Sequence, residues 1–199
     1  MNIQRLKGLN IESCIDIGAH IGGFYSMASA ELSLDPSKCM LIEANINCEP
    51  NLRATGVQYK IAVLSDCKKS VTYFKANHDP VCTGNSYYRE LTIHYRDENI
   101  NTEMMETDTL DNVAFRNFDL IKIDTQGSEL DILRGGLNTL SKAKAVILET
   151  SIIPYNNNAP LQDEVISFMK TYGFTSYTII GELLMTNQNI HQQDLLFLR

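Results

Sequence analysis

The segment Cys14-Ile15-Asp16-Ile17-Gly18-Ala19-His20-Ile21-Gly22-Gly23-Phe24 constrains this chain more than any other. An apolar run ends in an acid, passes through a glycine-bracketed turn and opens into an amphipathic stretch. That order is strand, tight loop and helix N-terminus, the opening of an α/β unit that holds a ligand against its loop. Glycine lets the loop backbone approach a ligand where any Cβ would block it. The glycines Gly18, Gly22 and Gly23 do not meet the G-x-G-x-x-G pattern that cradles a dinucleotide pyrophosphate. Asp16, at the strand's end, would repel phosphates. It suits a ligand with a cationic amine and a sulfonium, and S-adenosylmethionine is such a ligand.

The rest of the chain alternates strand-like apolar runs with helical periodicity, the pattern of a parallel sheet with helices on its faces. Strands are expected at 13–17, at 39–42 ending in Glu43, at 57–64, at 119–124 and at 145–148 ending in Glu149. Helices are expected at 21–32, near 48–54, near 109–114, from Ser128 with Leu130, Leu133, Leu137 and Leu140 on one face, and at 161–172. Ser128 with Asp131 resembles a capping box. Two last strands, 174–180 and 194–198, have no helix pattern between them and so are expected to pair antiparallel, with a turn at Gly181-Glu182. Between 76 and 101 lies a polar segment with Pro80, Gly84, Asn85 and the tyrosines Tyr87, Tyr88 and Tyr95. A long irregular segment in a compact domain reads as a hairpin plus a lid over the site. The whole, 1–199, reads as one domain with that lid-like insertion.

Bulk properties narrow the partners. The formal net charge is −7 and no Lys/Arg run stands out, so a nucleic acid has no electrostatic footprint to bind. The longest apolar runs are strand-length, too short to span a membrane. Five cysteines without a C-x-x-C pair read as reduced thiols, and no basic segment followed by an apolar core opens the chain, so a cytoplasmic location is expected. No firm metal-ligand spacing is present, though Asp124 and Glu149, at adjacent strand ends, could share a divalent ion. Oligomeric state is not legible.

In an open α/β sheet the ligand lies beyond the carboxyl ends of the strands, and this chain puts acids there: Asp16, Glu43, Asp124 and Glu149, with Ser65 and Asp66 just past the third strand. Glu43 is placed to accept both ribose hydroxyls of an adenosine cofactor, and Ala44 to pack on the adenine. Asp66 or the Ser65 hydroxyl is placed to accept from the adenine amino group. Backbone N–H groups around Gly18–Gly22 can hold a carboxylate. Asp124 falls near the amine, the methyl group or the acceptor. His20 can touch the cofactor or substrate from the loop, and His78 and His94, in the lid, are candidate bases for a hydroxyl acceptor. His191 reads as a surface residue.

These residues resemble the FkbM-type S-adenosylmethionine-dependent methyltransferases. The stretch from Asp16 to Gly22 is similar to their glycine loop. Ile121-Lys122-Ile123-Asp124-Thr125-Gln126-Gly127-Ser128-Glu129, continuing to Gly135, is similar to their K-I-D-x-x-G-x-E segment. Thr109-Leu110-Asp111 and the closing strand Asp194–Arg199 follow in order. The resemblance implies a Rossmann-like class I fold: a mostly parallel seven-stranded sheet with an antiparallel C-terminal hairpin. It implies methyl transfer to a hydroxyl oxygen of a small-molecule or saccharide acceptor. It assigns Asp16, Gly18, Gly22, Glu43 and Asp66 to the cofactor, and Asp124 and Glu129 to the reaction site. His20 stands where the family more often has Asn, and Glu43-Ala44-Asn45 where Glu-Pro-Asn is common. Three rivals stay open: a non-catalytic relative that binds the cofactor or a partner protein; less favoured by the glycine spacing, a nicotinamide-dependent oxidoreductase; and, less favoured by the net charge and the lack of an N-P-P-Y-type motif after the fourth strand, a nucleic-acid methyltransferase.

Overall fold

The computed structural model describes residues 1–184 and 190–199. Seven strands form one sheet: β1 (Cys14–Ile17), β2 (Cys39–Glu43), β3 (Gln58–Ile61), β7 (Leu120–Ile123), β8 (Ala145–Ser151), β9 (Ser176–Leu184) and β10 (Ile190–Leu198). Their order across the sheet is β3-β2-β1-β7-β8-β10-β9. The first five run parallel, and β10 pairs antiparallel with both β8 and β9. This is the seven-stranded, mostly parallel class I plan with its antiparallel hairpin, as the sequence leads one to expect.

The central strands are apolar on both faces because both faces are covered. Ile15, Ile17, Ile121 and Ile123 join the core under α3 (Leu110–Val113), α4 (Glu129–Arg134), α5 (Leu137–Lys142) and α6 (Gln162–Thr171). Cys14, Leu41, Leu120 and Ile147 join a second core under α1 (Gly23–Leu32) and α2 (Glu49–Ala54). By alternation, Asp16 and Lys122 point to that second side, one layer above Cys14 and Leu120.

A smaller sheet flanks the site. It holds β4 (Val63–Leu64), β5 (Ser70–Ala76) and β6 (Ile100–Asp108), with β5 and β6 antiparallel. The expected third strand is thus two, β3 in the main sheet and β4 in the small one. The segment 77–99 connects β5 to β6.

Three local expectations change. The helix expected from Ser128 through Leu140 is broken at Gly135-Gly136. A Cβ at Gly135 would stand 2.2 Å from the Ser65 carbonyl oxygen, so the chain needs a glycine to pass that backbone. Ser128 caps nothing with its side chain; a carboxylate reaching back to an N-terminal N–H is found instead at Glu164, which accepts from the Leu161 N–H. The last hairpin does not turn at Gly181-Glu182, because β9 runs through both residues to Leu184. Among the described residues no helix is long and apolar enough to cross a membrane.

Candidate functional site

The order of strands reverses between β1 and β7, and a cleft opens at the carboxyl ends of β1, β2 and β7. Its enclosed part is about 90 Å³, and it opens to solvent at its mouth. Ile17, Ile42 and Leu64 give it an apolar floor, Gly18, Glu43 and Asp124 its polar wall, and Tyr73, Thr83 and Asn85 close it from the lid side. Among the described residues no lysine or arginine lines it. Its fixed charges are therefore negative, and a pyrophosphate finds no cation there.

Glu43 ends β2 with its carboxylate held from both sides. Oε2 accepts the His20 N–H at 2.7 Å and Oε1 accepts the Asn45 N–H at 2.8 Å. A carboxylate oxygen has capacity for a second donor, so Glu43 is fixed to the loop yet still able to receive ribose hydroxyls. Ala44 lies beside it in the cleft wall.

The glycine loop is built against protein as much as against a ligand. Gly18 has φ +75°, and a Cβ there would lie 1.8 Å from the Asp124 carbonyl oxygen. Gly22, at φ +83°, is buried with Thr55 3.0 Å from any added Cβ, and it does not line the cleft. The loop's N–H groups are spent inside the fold. Gly18 and Ala19 both donate to the Ile42 carbonyl, His20 donates to Glu43, and Gly22 donates to the Ala19 carbonyl. The expectation that these N–H groups hold a carboxylate is corrected for those four positions. The reason is the β1–β2 pairing, which the loop extends.

Asp16 does not reach the cleft. It is fully buried, and among the described residues neither carboxylate oxygen has a hydrogen-bond partner. The cation facing it is the chain's own Lys122, whose Nζ lies 3.7 Å from Asp16 Oδ1 and 2.9 Å from Asp124 Oδ2. Burial pushes Asp16 up to about 6, against the pull of Lys122. Against the cost of its own burial, Asp124 is held below the usual carboxylate range by the Lys122 ammonium. Asp124 does line the cleft. Glu149, two residues before the end of β8, is driven well up by burial and by Asp124. Its Oε2 accepts from Gln126 Nε2 at 2.6 Å and from Gln192 Nε2 at 3.0 Å.

Glu129 faces inward rather than into the cleft. Oε1 accepts the N–H of Thr125 at 2.9 Å, and both oxygens lie within 3.2 Å of the Gly127 N–H. It holds the loop that carries Asp124, and burial raises it to about 7. Ser65 and Asp66 are also turned elsewhere. Ser65 Oγ donates to Asp66 Oδ1 and meets the Tyr87 hydroxyl at 3.2 Å. Asp66 is exposed and pairs with Lys69 Nζ at 2.7 Å, which holds it down at about 2. Neither lines the cleft.

His20 lines the cleft and binds the lid, its Nε2 2.7 Å from the Val81 carbonyl oxygen. Asn45 and Asn47 donate to the neighbouring Pro80 carbonyl at 2.7 and 3.0 Å. The segment 77–99 is also held at Tyr88, whose hydroxyl donates to Asp131 Oδ2 at 2.8 Å. His78 is exposed and stacks on His94 at 5.7 Å between centroids, outside the cleft lining. His191 is buried, not on the surface, and stacks on Tyr155 at 4.8 Å. No three His, Cys, Asp or Glu side chains among the described residues are grouped to hold a metal ion.

Two further residues, Lys122 and Gln126, shape the site. Lys122 carries a visible signal, a lone charge inside the apolar run Leu120–Ile123, since a buried charge demands a partner. Gln126 carries none. Its φ of +56° and its link to Glu149 exist only in the folded loop.

Residues 16–176 match the Methyltransferase FkbM domain. The fold is similar to that of Methyltransferase FkbM from Methylobacillus flagellatus KT, at TM-score 0.60 and 16% identity, over 94% of this chain and 44% of that one. This chain thus spans less than half the length of that relative. More distant are the precorrin-6y C5,15-methyltransferase of Geobacter metallireducens GS-15, at TM-score 0.45 and 10% identity over 98% and 87% of the two chains, and M. capricolum TrmK in complex with S-adenosyl-homocysteine, at TM-score 0.45 and 13% identity over 100% and 69%. No curated protein matches the chain in sequence.

Proposed function

We propose that this chain, which belongs to the FkbM methyltransferase family, transfers a methyl group to a hydroxyl oxygen of a small molecule or sugar. Its cofactor is S-adenosyl-L-methionine. The observation that carries the reading is the acid-walled, cation-free cleft at the switch point, with Glu43 fixed by two backbone N–H groups on its wall. That wall suits a cationic ligand with a ribose and disfavours a dinucleotide. The covering of the cleft by segment 77–99 supports a small acceptor. The net charge of −7 supports the same over a nucleic acid.

In this reading Glu43 accepts the ribose hydroxyls, and Ala44, Ala62 and Leu64 make an apolar slot for the adenine. Gly18 keeps the loop low enough to leave room for the methionine end. When bound, the cofactor supplies a methyl group already activated on its sulfonium sulfur. The protein's task is then alignment and exclusion of water. Asp124, held ionised and mostly buried at the cleft wall, takes the proton of the acceptor hydroxyl. Glu129 and Gln126 hold the Asp124 loop in shape. The lid keeps water out.

Calorimetric titration tests this. S-adenosylmethionine should bind and NAD should not. Glu43→Ala should weaken cofactor binding about 100-fold, the loss of two hydrogen bonds to a charged group. A wild-type protein that binds NAD and not S-adenosylmethionine would sink the reading. A panel of hydroxylated acceptors, scored by S-adenosylhomocysteine release, would then identify the substrate.

A further inference from the structure

Lys122 is a charge to which the mechanism above gives no task of its own. It is 4% exposed, on β7, and the parallel register sets it directly beside Asp16 on β1. Its Nζ reaches Asp124 Oδ2 at 2.9 Å and Asp16 Oδ1 at 3.7 Å. The Phe24 ring of α1 covers it, 5.3 Å from Nζ to the centroid. A lysine at this depth costs several kcal/mol unless it is compensated. Here two carboxylates compensate it, and only one of them, Asp124, opens onto the cleft.

The other charged side chains facing this spot are acids, and the N-terminal ammonium acts on the outermost of them, Asp194. Glu43 on β2 is tied to the His20 and Asn45 N–H groups. Glu129 on α4 is tied to those of Thr125 and Gly127. Glu149 on β8 is tied to Gln126 and Gln192, and Asp194 on β10 stands opposite it in register. Lys122 is the one cationic side chain in this group of seven acids and bases. Without it the acids crowd one another, and like charges drive at least one of them to hold its proton.

We propose that Lys122 is a positioning residue: its ammonium keeps the Asp124 carboxylate ionised and aimed into the cleft, so that the cofactor's cationic end meets a fixed negative charge across neutral pH. This rests on the cofactor reading above. Lys122 itself touches neither cofactor nor acceptor.

The test is calorimetric titration with S-adenosylmethionine and, separately, S-adenosylhomocysteine, on the wild type, Lys122→Met, Lys122→Arg and the double variant Asp16→Asn/Lys122→Met. The double variant removes Asp16's charge with the lysine's, so the core is not left with a surplus acid and the fold is protected. In the wild type, S-adenosylmethionine affinity should stay within about threefold between about pH 6 and about pH 8. In Lys122→Met and the double variant it should fall about tenfold or more toward pH 6, as the carboxyl that lost its ammonium takes up a proton. S-adenosylhomocysteine, without the sulfonium charge, should fall less, and Lys122→Arg should restore the flat profile. A folded Lys122→Met or double variant with the wild-type pH profile overturns the proposal alone. Wild-type protein that binds no S-adenosylmethionine at any pH overturns the cofactor reading and this proposal with it.

Discussion

Lys122 stands directly beside Asp16 in the β1–β7 register, with Nζ 3.7 Å from Oδ1. The acid that the sequence offers to a cofactor's amine is thus answered from within the chain. The pairing follows from topology. Parallel neighbours place residues of one register on the same face, and both strands are too deeply covered for either charge to reach water. The acids left to the cleft are Glu43 and Asp124, one layer nearer its mouth.

The contact between β1's exit and β7's exit makes Gly18 the least replaceable residue of the loop. Gly18→Ala would bring a Cβ to within 1.8 Å of the Asp124 carbonyl oxygen in a backbone conformation at φ +75°. Backbone faces backbone there, so no side chain can swing away. We expect a loss of about 3 kcal/mol or more, read as a fall in the denaturant midpoint. An alanine variant as stable as the wild type would mean the two loops do not meet as described.

His20 fastens the lid. Its bond to the Val81 carbonyl, at 2.7 Å, is one of three that hold the strap of Pro80 and Val81 over the cleft. A net hydrogen bond is worth about 1 kcal/mol, so His20→Ala should raise the S-adenosylmethionine dissociation rate about fivefold. Stopped-flow displacement measures this. An unchanged rate would show that the cofactor leaves by a route that does not need the strap to lift.

Glu129 gives the fold a pH dependence. Its ordinary value is 4.5, and burial raises it to about 7 in the folded protein. A raised carboxyl favours folding while protonated, so its contribution is fully present below pH 4.5 and is lost as pH rises through 7. The change is worth about 3 kcal/mol at most. Denaturant melts at acid and mildly alkaline pH should show the wild type losing this increment, and Glu129→Gln should lack that part of the slope. Equal slopes in both proteins would place the pH dependence elsewhere.

Much of this was legible in the sequence because it depends on local pattern. The apolar strands ending in acids, the Gly18 turn and the antiparallel end of the sheet follow from periodicity and composition. The segment 76–101 stands out by its irregular run of Pro, Gly, Asn and Tyr. What stayed hidden depends on partners far apart in the chain. Asp66 is lost to the site because Lys69 takes it, and Ser65 because Tyr87 meets it. Glu129 looks like a second acid at the reaction site, but the turn at Gln126-Gly127 folds the loop's N–H groups onto it. His78 shares the lid with the cleft's roof yet stacks outward on His94. No spacing in the sequence separates these outcomes.

Asp124 is where the proposed chemistry and the buried network meet, so it separates the two roles given to it. Asp124→Asn keeps the shape and a hydrogen-bond acceptor for Lys122 but removes the charge and the basicity. Cofactor affinity should fall about tenfold, the weight of one nearby charge at a partly buried site. Methyl transfer to an acceptor found by screening should fall further, by about 100-fold or more, because a positioned general base is worth that much. Calorimetry gives the first number and single-turnover release of S-adenosylhomocysteine the second. Equal losses would leave Asp124 a binding group only. A rate that survives intact, with normal affinity, would move the base to another residue of the cleft or show that transfer to this acceptor needs none.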